Sequence, residues 1–307
     1  MATTRMTAPT LRRTFRLAGG TAYGWLTVTP VLAVIALFTL FPFLYAAVNS
    51  LHRHILTLPG SPFVGLENYR TALSDSAVHS AAVTSLIFVA IAVPLVTALG
   101  LAVAVLLNQR VKAFGILLVL VLLPWSVPTV SAGIMWRLLL HGEFGAIDGL
   151  LYRLGAIDNY VQWLSSSKLA LASVALVHVW REFPLPAILF LAALQTIPNE
   201  LHEAARLDRA TAWQRFRHVT LPLLKAPLLI VLIYETMIAI SAFDLVYVLT
   251  GGGPGSATTL FSWYVYTVTF KFLDLGQGAA LSFIMAAVLI LFIVVYARIV
   301  RVQEDGA

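Results

Sequence analysis

The sequence predicts an all-α polytopic membrane protein with about six transmembrane helices. Of its 307 residues, 60% are hydrophobic and only 11% are charged. A soluble domain of this length needs a surface of which roughly a quarter is charged. This chain cannot supply such a surface, so lipid must be the solvent for much of it.

Six apolar stretches reach the length of about 20 residues that a helix needs to cross a bilayer. They lie at residues 23–48, 78–107, 115–138, 169–194, 227–249 and 275–300. The first follows four arginines and has no small-residue cleavage site after it, so we interpret it as a retained span and not as a signal peptide. The predicted organisation is a tail at 1–22, a membrane domain at 23–300 and a second tail at 301–307.

The distribution of lysine and arginine predicts the orientation in the membrane. With the N-terminus inside, the inner segments carry about two basic residues for each one in the outer segments, which is the bias of the positive-inside rule. Both termini are therefore expected in the cytoplasm, and the protein is expected in the inner membrane of the cell. The net charge of +6 reflects these short basic loops and does not indicate a nucleic-acid partner.

Two further classes of site are not expected. The chain has no cysteine, which excludes disulfides, thiolate nucleophiles and thiolate metal sites. His52 and His54 form a histidine pair in the first outer loop, but no third or fourth ligand accompanies them, so no metal site is predicted.

The largest cytoplasmic loop, residues 196–224, carries the first motif. Pro198 and Asn199 indicate a helix start, and Glu200 and Glu203 lie where the helix dipole favours anions. Taken by itself, this pattern is compatible with a solvated amphipathic connector.

The run that begins at Glu203 resembles the EAA loop of permeases from binding-protein-dependent ABC importers. The matching residues are Glu203, Ala204, Ala205, Asp208, Leu221 and Pro222. The resemblance implies the type I ABC importer permease fold and a coupling helix that docks into a cleft of a cytoplasmic ATPase subunit. It implies that the coupling residues are Glu203, Ala204, Ala205, Arg206, Leu207, Asp208, Arg209 and Ala210. Arg209 departs from the family, which usually has glycine there for a turn.

A glycine-rich run follows the fifth span. Residues 251–256 lack the Gly-Lys-Ser/Thr ending of a phosphate-binding loop and lie on the expected outer side, so no ATP is expected there. The run 243–260, together with residues 63–69 and 123–128, resembles the MalF-like permeases of sugar importers. Within that group the chain resembles the permeases of mycobacterial trehalose importers. The resemblance therefore implies trehalose as cargo, with a maltodextrin or glycerol 3-phosphate as the alternative.

Ionisable residues inside the predicted spans are candidates for the substrate pathway, because a charge in lipid is costly. Arg181 and Glu182 lie near the middle of span four. Four residues of span five share one helical face by their spacing: Glu235, Ile238, Ala239 and Ala242. The family resemblance implies sugar contacts at Thr129, Arg181, Glu182, Leu185, Glu235, Ile238, Ala239 and Ala242. The alternative is an ion pair of Arg181 with Glu182 or Glu235 that only stabilises helix packing.

The resemblance also implies partners. The chain is expected to perform no chemistry and to bind no cofactor, with ATP and Mg²⁺ held by two copies of a cytoplasmic ATPase subunit. A second permease subunit and an extracytoplasmic sugar-binding protein, which can be a lipoprotein, complete the expected assembly. From the residues alone a secondary transporter or a channel stays the rival class, although the two halves of the chain show no repeat.

Overall fold

The structure is a computed structural model that describes residues 20–109 and 114–300. Over these residues the chain forms helices and no β-strand. The helices are α1 (Gly20–Ile35), α2 (Phe41–Ser50), α3 (Glu67–Ser74), α4 (Ser76–Leu107), α5 (Phe114–Ser126), α6 (Thr129–Leu139), α7 (Ala146–Arg153), α8 (Ser167–Glu182), α9 (Pro184–Gln195), α10 (Asn199–Leu207), α11 (Ala212–Arg215), α12 (Leu221–Leu223), α13 (Lys225–Ile240), α14 (Phe243–Leu249), α15 (Phe261–Tyr266) and α16 (Leu275–Ile299). Residues 1–19 of the predicted N-terminal tail and the predicted tail 301–307 lie outside the described residues.

The chain divides into two units, Met1–Val48 and Asn49–Ala307. The first contains α1 and most of α2, which continue into each other through a π-helical turn at Ala36–Leu40. Their apolar run Thr27–Ser50 is long enough to cross a membrane. The second unit contains the other helices, of which α4 and α16 are continuous and also long enough to cross.

Three further spans are bent pairs of helices. α5 and α6 meet at 94°, α8 and α9 at 44°, and the segment Ala212–Leu223 meets α13 at 70°. If each pair is one crossing, the described residues hold up to six spans, which is the predicted number. The predicted spans 115–138 and 169–194 are thus not single straight helices. The predicted span 227–249 is also interrupted, because α13 ends at Ile240 and α14 begins at Phe243.

Proline explains two of these bends. Pro128 follows the end of α5, and Pro184 is the first residue of α9. Proline lacks the N–H that an α-helix uses, its ring clashes with the carbonyl of the preceding turn, and it disfavours helical geometry in the residue before it. The apolar composition that predicted each span is therefore interrupted locally, and the chain changes direction inside the membrane.

The long helix α4 lies at the centre of the second unit and packs against α8, α9 and α13. Its contact with α9 depends on Gly100, where a Cβ atom would lie 2.6 Å from Cβ of Pro186. Phe88 of α4, Val177 of α8 and Ala239 of α13 belong to one buried apolar cluster. α4 therefore contacts both α8 and α13 and fixes their rotation. The side chains on the opposite faces of α8 and α13 are positioned by this packing.

Candidate functional site

A cavity of about 540 Å³ lies where three of the spans are interrupted. α5 and α6 contribute residues on both sides of their bend, α8 contributes its last turns, and α13 and α14 contribute the ends that flank their break. The lining residues are Trp125, Ser126, Thr129, His178, Arg181, Glu182, Tyr234, Ile238, Ser241, Ala242, Asp244 and Leu245. Cavities that bind small molecules measure about 300–1,000 Å³, and interrupted helices commonly build transport sites.

Arg181 links the end of α8 to the break after α5. Its Nη1 pairs with the Oε1 of Glu182, and its Nε donates to the backbone carbonyl of Val127 at 3.3 Å. The bend after α5 frees that carbonyl from helical hydrogen bonding. Both charged side chains line the cavity, and the Glu182 side chain is only 5% exposed. The predicted ion pair within span four is thus present, and the same pair forms part of the cavity wall.

The helix face that α13 presents to the cavity differs from the predicted face by one residue. Tyr234, Ile238 and Ser241 line the cavity, whereas Glu235 and Ala239 are not among its lining residues. Successive residues of an α-helix are about 100° apart, so a step of one residue turns a different set of side chains inward. Ile238 lines the cavity from α13, whereas Ala242 lines it from the break between α13 and α14, beyond the end of the predicted helical face.

Glu235 and Ala239 instead face the protein core. Glu235 is 0% exposed and Ala239 is 1% exposed. Within the described residues neither carboxylate oxygen of Glu235 has a hydrogen-bond partner. Leu185, which follows the break after α8, is also absent from the lining, so five of the eight predicted contact residues line the cavity: Thr129, Arg181, Glu182, Ile238 and Ala242.

Seven lining residues were not predicted, although several of them lie in or beside runs that were already identified from the sequence. They are Trp125, Ser126, His178, Tyr234, Ser241, Asp244 and Leu245. Trp125 and Ser126 lie in the proline-flanked run 123–128, and Asp244 lies in the run 243–260. His178 is one helical turn before Arg181, and its ring meets the ring of Phe88 edge-on at 5.2 Å. A rule that examined residues beside prolines within apolar spans would have found the first two.

The loop 196–224, which carries the first motif, forms an exposed helical hairpin of α10 and α11 after the end of α9. α10 begins at Asn199, as predicted. Glu203 and Leu207 point outward from α10, and Leu207 is 85% exposed. α11 begins with a capping box in which Thr211 and Gln214 satisfy each other's backbone N–H groups. Within the described residues the Glu203 carboxylate forms no ion pair, so it stays available to a partner.

Comparison with known proteins identifies the family. The family described as "Binding-protein-dependent transport system inner membrane component" matches residues 96–306. This chain belongs to that family. The permease is 38% identical over 282 residues to the trehalose/maltose transport system permease protein MalF of Thermococcus litoralis, covering 92% of this chain and 95% of that protein. It is 31% identical over 260 residues to the trehalose transport system permease protein SugA of Mycobacterium tuberculosis, covering 84% and 82%.

A third relative is named for a different cargo. The permease is 34% identical over 281 residues to the sulfoquinovosyl glycerol transport system permease protein SmoG of Agrobacterium fabrum, covering 91% of this chain and 90% of that protein. These matches confirm the predicted resemblance to MalF-like permeases. Family membership also removes the secondary transporter and the channel as rival classes.

The fold agrees with this assignment. A crystal structure of a bacterial ABC transporter involved in the import of the acidic polysaccharide alginate matches with a TM-score of 0.79 at 18% identity, covering 94% of this chain and all of that chain. A crystal structure of a bacterial alginate ABC transporter in complex with an alginate pentasaccharide-bound periplasmic protein matches with a TM-score of 0.80 at 18% identity, covering 95% of this chain and 100% of that chain. The fold is therefore that of an ABC importer permease, as predicted.

The permease accommodates Arg209 at the turn where the family usually has glycine. Arg209 has a φ of 56°, in the left-handed region that favours glycine. Its N–H donates to the carbonyl of Arg206 at 3.0 Å, and the N–H of Ala210 donates to the carbonyl of Ala205 at 2.9 Å. This pattern is the Schellman motif that ends a helix. The arginine thus adopts the turn that a glycine would adopt, at an energetic cost.

Replacing Arg209 by glycine is expected to stabilise this turn by about 1 kcal/mol, because a left-handed residue with a Cβ is strained by roughly that amount. Hydrogen exchange at the Ala210 amide should then slow by about fivefold. Arg209→Ala serves as the control, because it removes the side chain but keeps the Cβ. Equal exchange rates in the two variants would contradict a strained turn.

Proposed function

We propose that this permease moves a neutral sugar, the disaccharide trehalose, across the inner membrane in an ATP-driven importer. The observation that carries the proposal is the cavity of about 540 Å³ at the interrupted helices. Its wall combines an indole at Trp125, hydroxyls at Ser126 and Thr129, and a carboxylate at Asp244. Such groups donate to and accept from sugar hydroxyls. The relatives from Thermococcus litoralis and Mycobacterium tuberculosis, whose names specify trehalose, support the choice of cargo.

The charges of the wall argue against an anionic cargo. Among the described lining residues Arg181 is the cation other than histidine, and it is already paired with Glu182. Asp244 adds a second carboxylate without a matching base. A phosphate or sulfonate group would therefore meet a net negative wall and no free guanidinium. Glycerol 3-phosphate becomes the less favoured alternative, and a maltodextrin stays compatible with the charges.

The proposed mechanism is alternating access driven from outside the chain. An extracytoplasmic binding protein delivers the sugar, and two ATPase subunits that hold ATP and Mg²⁺ close beneath the membrane. α10 docks into an ATPase cleft through residues 203–210 and transmits this closure to α9 and α13. A second permease subunit forms the other half of the pathway. This chain contributes binding and movement, and no catalytic residue or cofactor.

The proposed orientation places α10–α12 in the cytoplasm. The hairpin carries Arg206, Arg209, Arg215 and Arg217, in agreement with the positive-inside rule. Both termini then lie on the cytoplasmic side, and α3, α7 and the segment 250–260 lie on the outer side. Cysteine substitution at Asp158 and at Glu203 with impermeant labelling would test this directly.

The cargo is tested by uptake in a strain from which the gene for this permease has been deleted. We expect loss of radiolabelled trehalose uptake in the deletion strain and its recovery when the gene is restored. Maltose, a maltodextrin and glycerol 3-phosphate are measured in parallel. Unchanged trehalose uptake in the deletion strain would reject trehalose as cargo, and selective loss of glycerol 3-phosphate uptake would reject a neutral sugar altogether.

A further inference from the structure

We infer that the permease holds a second sugar-binding site, in a polar cavity at the opposite end of α6 and α14 from the cavity of about 540 Å³, which we call the central cavity. This inference rests on the proposed function, because it assumes that the cargo is a neutral sugar entering from the side of α7. The cavity has a volume of about 360 Å³, which falls within the range of small-molecule sites. We call it the outer cavity. Six polar side chains line it: Arg137, His141, Glu143, Gln162, Ser165 and Thr250.

The side chains of the outer cavity suit a polyol. Arg137 provides a fork of donors, Glu143 provides acceptors, and Gln162 provides both. One guanidinium N–H of Arg137 donates to the carbonyl of Val248 at 3.4 Å. Within the described residues Arg137 forms no ion pair, so further donors stay available. Leu140 and Leu249, each 2% exposed, provide an apolar floor. An apolar floor with a few convergent polar groups is the usual composition of a ligand site.

The far wall of the outer cavity is held in place before any ligand arrives. Asp148 is 0% exposed and accepts a hydrogen bond from the N–H of Val161 at 3.1 Å and from the indole N–H of Trp163 at 2.8 Å. Gln162 lies between these two anchored residues. A buried carboxylate with two donors fixes backbone position strongly. The wall is therefore preformed, which reduces the entropy lost on binding.

Gly142 completes the site by allowing a close approach. The amide of Gln162 donates to the carbonyl of Gly142 at 3.4 Å. A Cβ atom at position 142 would lie 2.5 Å from the Oε1 of Gln162. Any larger residue there would force the Gln162 amide to shift from its present position. This gives a second variant that disturbs the site without removing one of its polar groups.

The outer cavity and the central cavity lie along the same two helices. α6 starts at Thr129, which lines the central cavity, and reaches the outer cavity at Arg137. α6 has 11 residues, which corresponds to a length of about 16 Å. Between the two cavities Gly133 of α6 packs closely against Val248 of α14. A sugar bound in the outer cavity would thus lie about one length of α6 from the central cavity. It would reach the central cavity only when α6 and α14 separate.

The test uses the complete transporter, purified with its partner subunits in nanodiscs and exposed to a diazirine derivative of trehalose. After irradiation, peptide mass spectrometry is expected to find adducts within residues 137–143 or 162–165, separate from adducts around the central cavity. Gln162→Ala and Gly142→Ala should each lower the outer adducts by about fivefold, as expected for a loss of about 1 kcal/mol, and leave the central adducts in place. Gln195→Ala, an exposed glutamine on α9, is the matched control and should change neither.

Three results would overturn the inference. Central adducts without outer adducts would remove the second site while the proposed function stands. Weaker docking of the binding protein to both variants, with unchanged outer adducts, would make the outer cavity a protein-docking surface. No adducts at either place, together with no trehalose uptake by the native transporter, would remove both the inference and the proposed cargo.

Discussion

Reversing the charge of Glu203 is expected to uncouple ATP hydrolysis from sugar transport and to lower uptake by about tenfold or more, since a like-charge contact at an interface costs several kcal/mol and each 1.4 kcal/mol is tenfold. Glu203 is exposed on α10 beside Leu207, and among the described residues it forms no ion pair. Its charge is therefore free to meet a partner. Glu203→Lys should leave the permease folded, because nothing within the described chain depends on that carboxylate.

The measurement compares trehalose uptake and ATP hydrolysis in proteoliposomes that contain the complete transporter. Asp158→Lys is the matched control, because it is the same charge reversal at an exposed carboxylate in the segment after α7, on the opposite side of the membrane in the proposed orientation. We expect the control to transport normally. Normal transport by Glu203→Lys would remove the docking role of α10, whereas loss of uptake with continued hydrolysis would support it.

Removing the Arg181 guanidinium is expected to lower sugar uptake by about tenfold or more, since hydrogen bonds to charged groups contribute about 1.5–3 kcal/mol. Arg181 holds Glu182 by an ion pair and holds the carbonyl of Val127 at the break after α5. Arg181→Ala would leave Glu182 unpaired in a nearly buried position, which costs about 3–5 kcal/mol. The single variant therefore combines a loss of substrate contacts with a loss of stability.

A double variant separates these two effects. Arg181→Met with Glu182→Gln removes both charges and leaves no unpaired ion, so the assembled transporter should be recovered in normal amounts while uptake stays low. Normal uptake by the double variant would show that the pair serves packing alone. Glu235→Gln is the comparison at a carboxylate that does not line the cavity. We expect it to lower uptake by less than Arg181→Ala does, although the sequence predicted a comparable role for both residues.

The different ranking of Arg181 and Glu235 illustrates how far sequence patterns reach. The sequence selected Arg181 and Glu182 because charged residues within an apolar span are costly in lipid, and both line the cavity. Spacing also selected Ile238, which lines the cavity from α13. The same spacing placed Glu235 on the same face as Ile238, because a helical wheel gives the relative positions of residues around the axis. It does not give the rotation of the helix against its neighbours, and α4 holds the Ala239 side of α13 in the core.

The loop 196–224 shows the opposite case, because its local sequence was sufficient to predict the start of α10 and the family. The start of α10 at Asn199 follows from short-range helix signals. The family resemblance of residues 203–222 required no knowledge of distant contacts. Even at Arg209, where the usual glycine is missing, local hydrogen bonds to residues 205 and 206 keep the turn. Interactions within a few residues of one another are the part of a fold that a single sequence encodes most directly.

The sequence by itself determined that this protein is an all-helical membrane protein and predicted about six spans, because sustained apolar length and scarce charge leave no other solvent for its surface. It also determined the family, through a short run at Glu203 whose pattern is local. Only the tertiary structure decided where the cavity lies, because three interruptions from α5 to α14 must meet in space before they enclose a volume. Only the packing of α13 on α4 decided that Tyr234 faces this volume and that Glu235 faces the core, since the rotation of a helix is set by its neighbours.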